Sequence, residues 1–187
     1  MNTEEQLESL FLCLFGNIIN QFKFPEELIE KHIDKISLIK LVKICVLSER
    51  FIEKYSNKLD WDDIVMYQKL SEEFIDKYAD KVNWSLVATY QTLSETFIEK
   101  YMCKVYWVDI VMYQKLSEGF IEKYADKVNW CDISRYQKLS EEFIEKHAGK
   151  LEWNRISRYQ TLSESFIEKH FNKVNKHYIL QYQKLSK

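Results

Sequence analysis

Hydrophobic and polar positions recur along this chain with a period of 23 residues, from Phe24 to the C-terminal residue. Residues 70–92, LSEEFIDKYADKVNWSLVATYQT, and 116–138, LSEGFIEKYADKVNWCDISRYQK, are clear copies. A unit this short cannot bury its own apolar face, so the period predicts stacked units that share one interior. We number the positions of each copy 1 to 23, and repeats 1 to 7 begin at Phe24, Leu47, Leu70, Leu93, Leu116, Leu139 and Leu162.

Each repeat predicts a first helix, helix A, that begins just after position 2. Position 2 is Ser in six repeats and Pro25 in the first; serine is a preferred N-cap, and proline is tolerated at a helix start. Acidic residues follow at positions 3 and 4, where the helix dipole favours negative charge. Apolar side chains at positions 5, 6, 9 and 13 form one stripe at helical spacing, as in Phe74, Ile75, Tyr78 and Val82.

A second helix, helix B, is predicted to begin after position 14, which is Asn or Asp in Asp60, Asn83, Asn129 and Asn175. Helix B carries Trp at position 15, Ile or Val at 18, Tyr at 21 and Gln at 22. Its buried side is expected to hold positions 15, 18, 19 and 22, while positions 16, 17 and 20 face away. Gly (3) and Pro (1) are too scarce for a sheet with hairpin turns. The sequence therefore predicts an all-α fold, an α-solenoid of about seven stacked two-helix repeats.

The first 23 residues follow a different pattern. Apolar residues recur at i, i+3, i+4 and i+7, and Thr3 with Gln6 forms a capping-box motif. We predict an amphipathic helix in residues 1–23 that caps the repeat domain, residues 24–187. The alternative is a docking helix for another protein. The apolar residues of this helix are Leu7, Leu10, Phe11, Leu14, Phe15, Ile18 and Ile19.

Tryptophan and glutamine each occupy one position of the repeat. The tryptophans could form a stacking platform for bases or a structural core ladder between successive repeats. The ladder is favoured because repeat 7 has Lys176 there, as suits a terminal unit. On this interpretation Trp107→Ala destabilises by about 3–5 kcal/mol. Each position-22 amide is expected to bond a backbone group of its own or the next repeat, until Cys45 replaces it in repeat 1. The tryptophans are Trp61, Trp84, Trp107, Trp130 and Trp153.

Composition and motifs argue against an enzyme and against a metal site. A net charge of −2 disfavours duplex nucleic acid as a partner. The four cysteines lack the spacing of a disulfide framework or a zinc site, which fits an intracellular setting. His32, His147 and His170 fall at position 9, where other repeats have Tyr, and so replace an aromatic residue. We find no catalytic triad, glycine-rich phosphate loop, signal peptide or membrane span, and predict no enzyme, cofactor or metal.

The candidate partner-binding surface consists of the variable positions on helix B that are expected to face outward. Repeat proteins usually encode partner specificity in such positions; unconstrained drift is the alternative. Lysines at positions 8 and 12 could form either a surface with local ion pairs or a track for an acidic partner or single-stranded nucleic acid. The candidate residues are Asp63, Met66, Leu86, Thr89, Asp109, Met112, Asp132, Arg135, Arg155 and Arg158.

Over about residues 47–184 the consensus LSEEFIEKYADKVNW…ISxYQK resembles the short tandem helical repeats of large DNA viruses that infect amoebae, of the mimivirus and marseillevirus kind. Such proteins are similar to the ankyrin-type repeat proteins of the same viruses. The resemblance implies an interaction module, acting in host cytoplasm or packaged in the virion, and carries over no catalytic residue.

Our leading hypothesis is therefore a non-enzymatic repeat scaffold that binds another protein, viral or host, through the outward positions of helix B. One alternative is a structural component of a virion or self-assembling complex, held by end-to-end or lateral packing. A second is single-stranded nucleic-acid binding along the lysine edge.

Overall fold

The structure, a computed structural model, describes residues 25–183. Within these residues the secondary structure is fourteen short α-helices and one 3₁₀ helix, Ile33–Lys35, without a β-strand. The predicted capping helix in residues 1–23 lies outside the described residues. Odd-numbered α-helices are the A helices and even-numbered ones the B helices: α1 Glu26–Lys31, α2 Leu38–Ile44, α3 Glu49–Lys54, α4 Trp61–Tyr67, α5 Glu72–Lys77, α6 Trp84–Tyr90, α7 Glu95–Lys100, α8 Trp107–Tyr113, α9 Glu118–Lys123, α10 Trp130–Tyr136, α11 Glu141–Lys146, α12 Trp153–Tyr159, α13 Glu164–Lys169 and α14 Lys176–Tyr182.

Serine caps the A helices of repeats 2 to 7, as the sequence predicts. In repeat 3, for example, the Ser71 hydroxyl accepts a hydrogen bond of 3.1 Å from the backbone N–H of Phe74. This bond satisfies one of the N–H groups that a helix start leaves without an intrahelical partner. The same cap is made by Ser48, Ser94, Ser117, Ser140 and Ser163.

Helix A is shorter than its apolar stripe suggests, because it ends at position 8. Positions 9 and 13 lie beyond it, in a turn where the carbonyl of Tyr78 accepts the N–H groups of both Lys81 and Val82. The turn folds back and returns Val82 to the core, where it is 7% exposed. The apolar pattern at these two positions therefore reflects burial of a turn rather than continuation of the helix.

The B helices also begin at the predicted caps. The Asp60 carboxylate accepts the backbone N–H groups of Asp62 and Asp63 at 2.9 and 3.1 Å, and Asn83, Asn129 and Asn175 make equivalent bonds. Glu152 does the same in repeat 6, which the sequence did not indicate, whereas Tyr106 in repeat 4 supplies no side-chain bond.

The chain divides into two compact units, Met1–Gln91 and Thr92–Lys187. In the first unit α2, α4 and α6 pack on one another in chain order; in the second, α8, α10, α12 and α14 do so. The phenylalanine and isoleucine at positions 5 and 6 of the A helices in repeats 2 to 7 are buried, as Phe120 and Ile121 illustrate. Within each unit this is the packing of a helical-repeat solenoid, and the predicted fold class is confirmed.

A substitution at Gly119 tests directly whether this part of repeat 5 is helical. This glycine lies inside α9, and a Cβ added there would meet nothing closer than the Ser117 hydroxyl at 4.0 Å. Gly119→Ala should therefore raise the free energy of unfolding by about 0.5–1 kcal/mol, because alanine loses less backbone entropy in a helix. Urea denaturation measures the change. Glu142→Ala, at the same position of repeat 6, is the control and should shift stability by less than about 0.5 kcal/mol. A destabilised Gly119→Ala protein would contradict the helix assignment.

Candidate functional site

Buried glutamine amides fix the link between successive repeats within each unit. Gln137 is 4% exposed, and its Oε1 accepts the backbone N–H of Leu116 at 3.0 Å. Its Nε2 donates to the carbonyls of Val111 and Gln114, at 2.6 and 2.8 Å. The same three bonds are made by Gln68, Gln91, Gln160 and Gln183.

We call these position-22 amides the glutamine ladder. They were expected to bond their own or the next repeat, and only the first part is right. Each of these amides bonds its own repeat, but the other bonds go to the preceding repeat rather than to the next one. The preceding helix B ends at this point and leaves carbonyls without intrahelical donors, which the amide supplies. Cys45, which replaces glutamine in repeat 1, contributes only its backbone carbonyl to Gln68, at 2.8 Å.

Tryptophan rings at position 15 pack against helix A of the following repeat within a unit. The Trp130 ring centroid lies 4.9 Å from that of His147 and 6.2 Å from that of Phe143. Its Nε1 donates to the Ala125 carbonyl of its own repeat at 3.1 Å. Trp61, Trp107 and Trp153 make the same ring contacts, and Trp84 is 9% exposed while the other four indoles are half-buried.

The lysine rows contact the preceding repeat. At position 8, Lys146 pairs with Glu122 at 2.7 Å, and both Lys146 and His147 lower the pKa of the Glu122 carboxyl. At position 12, the Lys150 ammonium lies over the Trp130 ring, 5.0 Å from its centroid. Equivalent ion pairs join Lys54 to Glu30, Lys77 to Glu53, Lys123 to Glu99 and Lys169 to Glu145, and Lys81 and Lys173 lie over Trp61 and Trp153.

The glutamates at position 3 bind the next repeat, a contact that sequence reasoning missed. Glu95 accepts the backbone N–H of Ser117 at 2.6 Å and its hydroxyl at 3.1 Å. The same carboxylate-to-serine contact occurs at Glu26, Glu49, Glu118 and Glu141. The signal was available: position 3 is glutamate in all seven repeats, whereas position 4 varies.

We expected position 17 of helix B to face outward, away from the buried side, but it does not. Its residues in repeats 2 to 6 are half-buried. Arg155 donates from Nη1 to the Cys131 carbonyl and the Asp132 carboxylate, both at 3.2 Å, and Asp63 pairs with Lys43 at 3.2 Å. The half-buried residues at position 17 are Asp63, Leu86, Asp109, Asp132 and Arg155.

Position 20 varies in exposure along the chain. Met66, Thr89 and Met112 are half-buried, and the Thr89 hydroxyl donates to the Ser85 carbonyl at 2.8 Å. Arg135 and Arg158, in the second unit, are exposed. These two arginines are thus the candidate residues that are most open to a partner.

Tyrosines at position 21 form an exposed surface that the sequence reasoning assigned to neither side of helix B. In the first unit Tyr67 and Tyr90 are 38% and 53% exposed. In the second unit Tyr113, Tyr159 and Tyr182 are 50%, 42% and 44% exposed, and Tyr136 is half-buried. Tyrosine occupies this position in repeats 2 to 7, and its recurrence beside the variable position 20 could have identified the surface.

In the second unit these tyrosines alternate with arginines. We call the set Tyr136, Arg135, Tyr159, Arg158 and Tyr182 the Tyr–Arg row. The Arg135 guanidinium carbon lies 4.8 and 5.3 Å from the ring centroids of Tyr136 and Tyr159, and that of Arg158 lies 5.1 and 5.2 Å from those of Tyr159 and Tyr182. Arg158 also lies over Tyr178, at 5.6 Å. Among the described residues neither arginine forms an ion pair.

In residues 25–183 no three His, Cys, Asp or Glu residues come together to hold a metal ion. Burial raises the pKa of the Cys45 thiol to about 11, which makes the thiolate scarce near neutral pH. His147 lies against Trp130 and bonds Glu122 at 2.9 Å, so it occupies the aromatic position expected of it.

None of the α-helices between residues 25 and 183 is both long and apolar enough to cross a membrane. The chain matches no protein-family model, no curated protein and no solved structure.

Proposed function

We propose that this protein is a non-enzymatic repeat scaffold that binds another protein through the outward face of its B helices. The observation that carries the proposal is the series of exposed tyrosines at position 21, flanked at position 20 by Met66 and Met112 and by Arg135 and Arg158. Tyrosine, methionine and arginine are enriched in protein interfaces, and tyrosine and arginine among the residues that contribute most to binding.

The scaffold part of the proposal is supported by where the other polar side chains go. Glutamine amides, position-3 glutamates and position-8 lysines contact neighbouring repeats within a unit, so they hold the B-helix face in place. The lysine contacts also make a nucleic-acid track along that edge less favourable, because a phosphate would compete with existing partners. From the sequence resemblance alone we propose that the partner is a viral or host protein, met in host cytoplasm or in the virion.

Affinity capture tests the proposal. The tagged protein is incubated with lysate of infected host cells beside a variant with Met66, Met112, Arg135 and Arg158 changed to alanine. We expect a partner that the unchanged protein retains to fall at least about tenfold in the variant, as when interface hot-spot residues are truncated. Quantitative mass spectrometry of the retained proteins measures the change.

The matched control variant carries alanine at four exposed residues outside the B helices, and it loses the same two positive charges. Its substitutions are at Arg50, Asn57, Lys58 and Asn172. The control should retain the partner at the level of the unchanged protein. Equal retention by all three proteins would place the binding surface elsewhere and refute the proposal.

A further inference from the structure

We propose that the Tyr–Arg row binds an acidic segment of the partner protein in an extended conformation. This inference rests on the proposed function and specifies the chemistry of the partner. The starting observation is that Arg135 and Arg158 are exposed cations whose contacts within the described residues are aromatic rings rather than carboxylates.

A cation–π contact with tyrosine does not use the N–H donors of an arginine. A guanidinium group has five N–H donors in its plane, and a ring below that plane accepts none of them. Tyr159 contacts both Arg135 and Arg158, so the two side chains are held in a fixed order along the row. The two guanidinium groups offer bidentate sites for carboxylates, and because the rings restrain these side chains, less side-chain entropy remains to be lost when a ligand binds.

The charge balance of the helices that carry the Tyr–Arg row favours an acidic ligand. Helices α10, α12 and α14 carry Arg135, Arg155, Arg158 and Lys176 against the single carboxylate of Asp132, which Arg155 already pairs. The first unit differs, because Asp62 and Asp63 balance Lys40 and Lys43 on α2 and α4. Arg135 and Arg158 are therefore a local positive charge, with no carboxylate paired to them in the described residues, in a chain whose net charge is −2, and complementary charge steers an acidic ligand toward them.

The spacing of the repeats suits an extended peptide. Packed helices lie about 8–10 Å apart, so Arg135 and Arg158, one repeat apart on α10 and α12, are separated by roughly this distance. An extended chain advances about 3.3 Å per residue and its side chains alternate between two faces, so carboxylates two residues apart share a face and lie about 7 Å apart, within reach of both flexible arginine side chains. Two acidic side chains so spaced can reach the two arginines at the edges of their guanidinium groups, without displacing them from the Tyr159 ring.

A single-stranded nucleic acid fits the row less well. Such ligands bind mainly by stacking bases on open aromatic faces. The guanidinium groups of Arg135 and Arg158 already lie over the Tyr159 ring, so a base would have to displace cation–π contacts to stack there. A carboxylate binds the edge of the guanidinium and leaves those contacts intact.

Fluorescence anisotropy with defined probes tests the inference on the full chain. The probes are fluorescein-labelled (Glu-Pro-Glu-Ala)3, the neutral peptide (Gln-Pro-Gln-Ala)3 and a labelled 12-nucleotide oligothymidylate. We expect the acidic peptide to bind at least about tenfold more tightly than either of the others, and to weaken as salt is raised. Equal binding of the two peptides would overturn the inference, and tighter binding of the oligonucleotide would replace it with a nucleic-acid ligand.

Variants separate the roles of the row. Arg135→Gln with Arg158→Gln should weaken the acidic peptide at least about tenfold, whereas Arg50→Gln with Lys58→Gln should leave its affinity unchanged. Tyr159→Phe keeps the ring and should bind as the unchanged protein does; Tyr159→Ala should weaken binding because both guanidiniums lose their support. Circular dichroism confirms that each variant is folded. An acidic peptide insensitive to Arg135 and Arg158 would refute the inference, while loss of lysate capture in the alanine variant would still support the proposed function.

Discussion

Replacing Gln137 by leucine should lower the free energy of unfolding by about 3 kcal/mol or more. The substitution keeps the side-chain volume but removes the partners of three backbone groups, the Leu116 N–H and the carbonyls of Val111 and Gln114. Gln137 is 4% exposed, so little water can replace the lost bonds. A buried polar group left without a partner costs about 1–3 kcal/mol, and the three groups together give the expected magnitude.

Gln183→Leu is the matched control, because Gln183 makes the same bonds to Leu162, Ser157 and Gln160 but is half-buried. Water can reach that site, so the loss there should be about 1 kcal/mol. Urea denaturation followed by circular dichroism measures both variants. Equal losses at Gln137 and Gln183 would show that burial does not set the cost, and a stable Gln137→Leu protein would show that the glutamine ladder is not structural.

The features that local chemistry determines were predictable from the sequence. Ser71 and Asp60 cap their helices because a short polar side chain before a helix bonds the N–H groups two or three residues ahead. Such bonds depend on a few consecutive residues, which the sequence displays directly. Glu152 was missed because glutamate is not among the preferred N-cap residues, although its carboxylate reaches the same groups.

The orientation of helix B was harder to predict for two reasons. Each B helix has only seven residues, and each packs against other B helices of its unit. The apolar pattern identifies Ile133 as buried but does not say which flanking side chains meet the next helix B. Arg155 at position 17 pairs with Asp132 there, whereas Tyr159 at position 21 is 42% exposed. Packing between repeats decides both outcomes, and one repeat read alone does not contain that information.

Contacts between repeats could be identified only in part. The Glu95–Ser117 and Glu122–Lys146 contacts join residues 22 and 24 apart, respectively, far beyond the range of helical spacing rules. Their recurrence at fixed positions indicates a structural role, yet the partner of each side chain emerges only once the repeats are stacked. For the same reason Arg135 and Arg158 were recognised as candidates, while the tyrosines that orient them were not.

Trp107→Ala should lower the free energy of unfolding by about 3 kcal/mol, the lower end of the range for a buried aromatic residue. The indole packs on repeat 5, with its ring centroid 5.1 Å from that of Tyr124 and 6.1 Å from that of Phe120. Because the indole is half-buried, part of its surface stays in contact with water in the folded protein, and that part adds nothing to the free energy of unfolding. Thermal and urea denaturation measure the loss.

Two comparisons make this prediction specific to packing between repeats. Tyr106→Ala, at the adjacent residue that is 69% exposed, should change stability by less than about 0.5 kcal/mol. A double-mutant cycle of Trp107→Ala and Tyr124→Ala should yield a coupling energy of about 0.5–1.5 kcal/mol, as for other aromatic pairs in contact. Additive losses would mean that the two rings do not interact. In that case the tryptophan at position 15 would not stabilise the packing between neighbouring repeats of this unit.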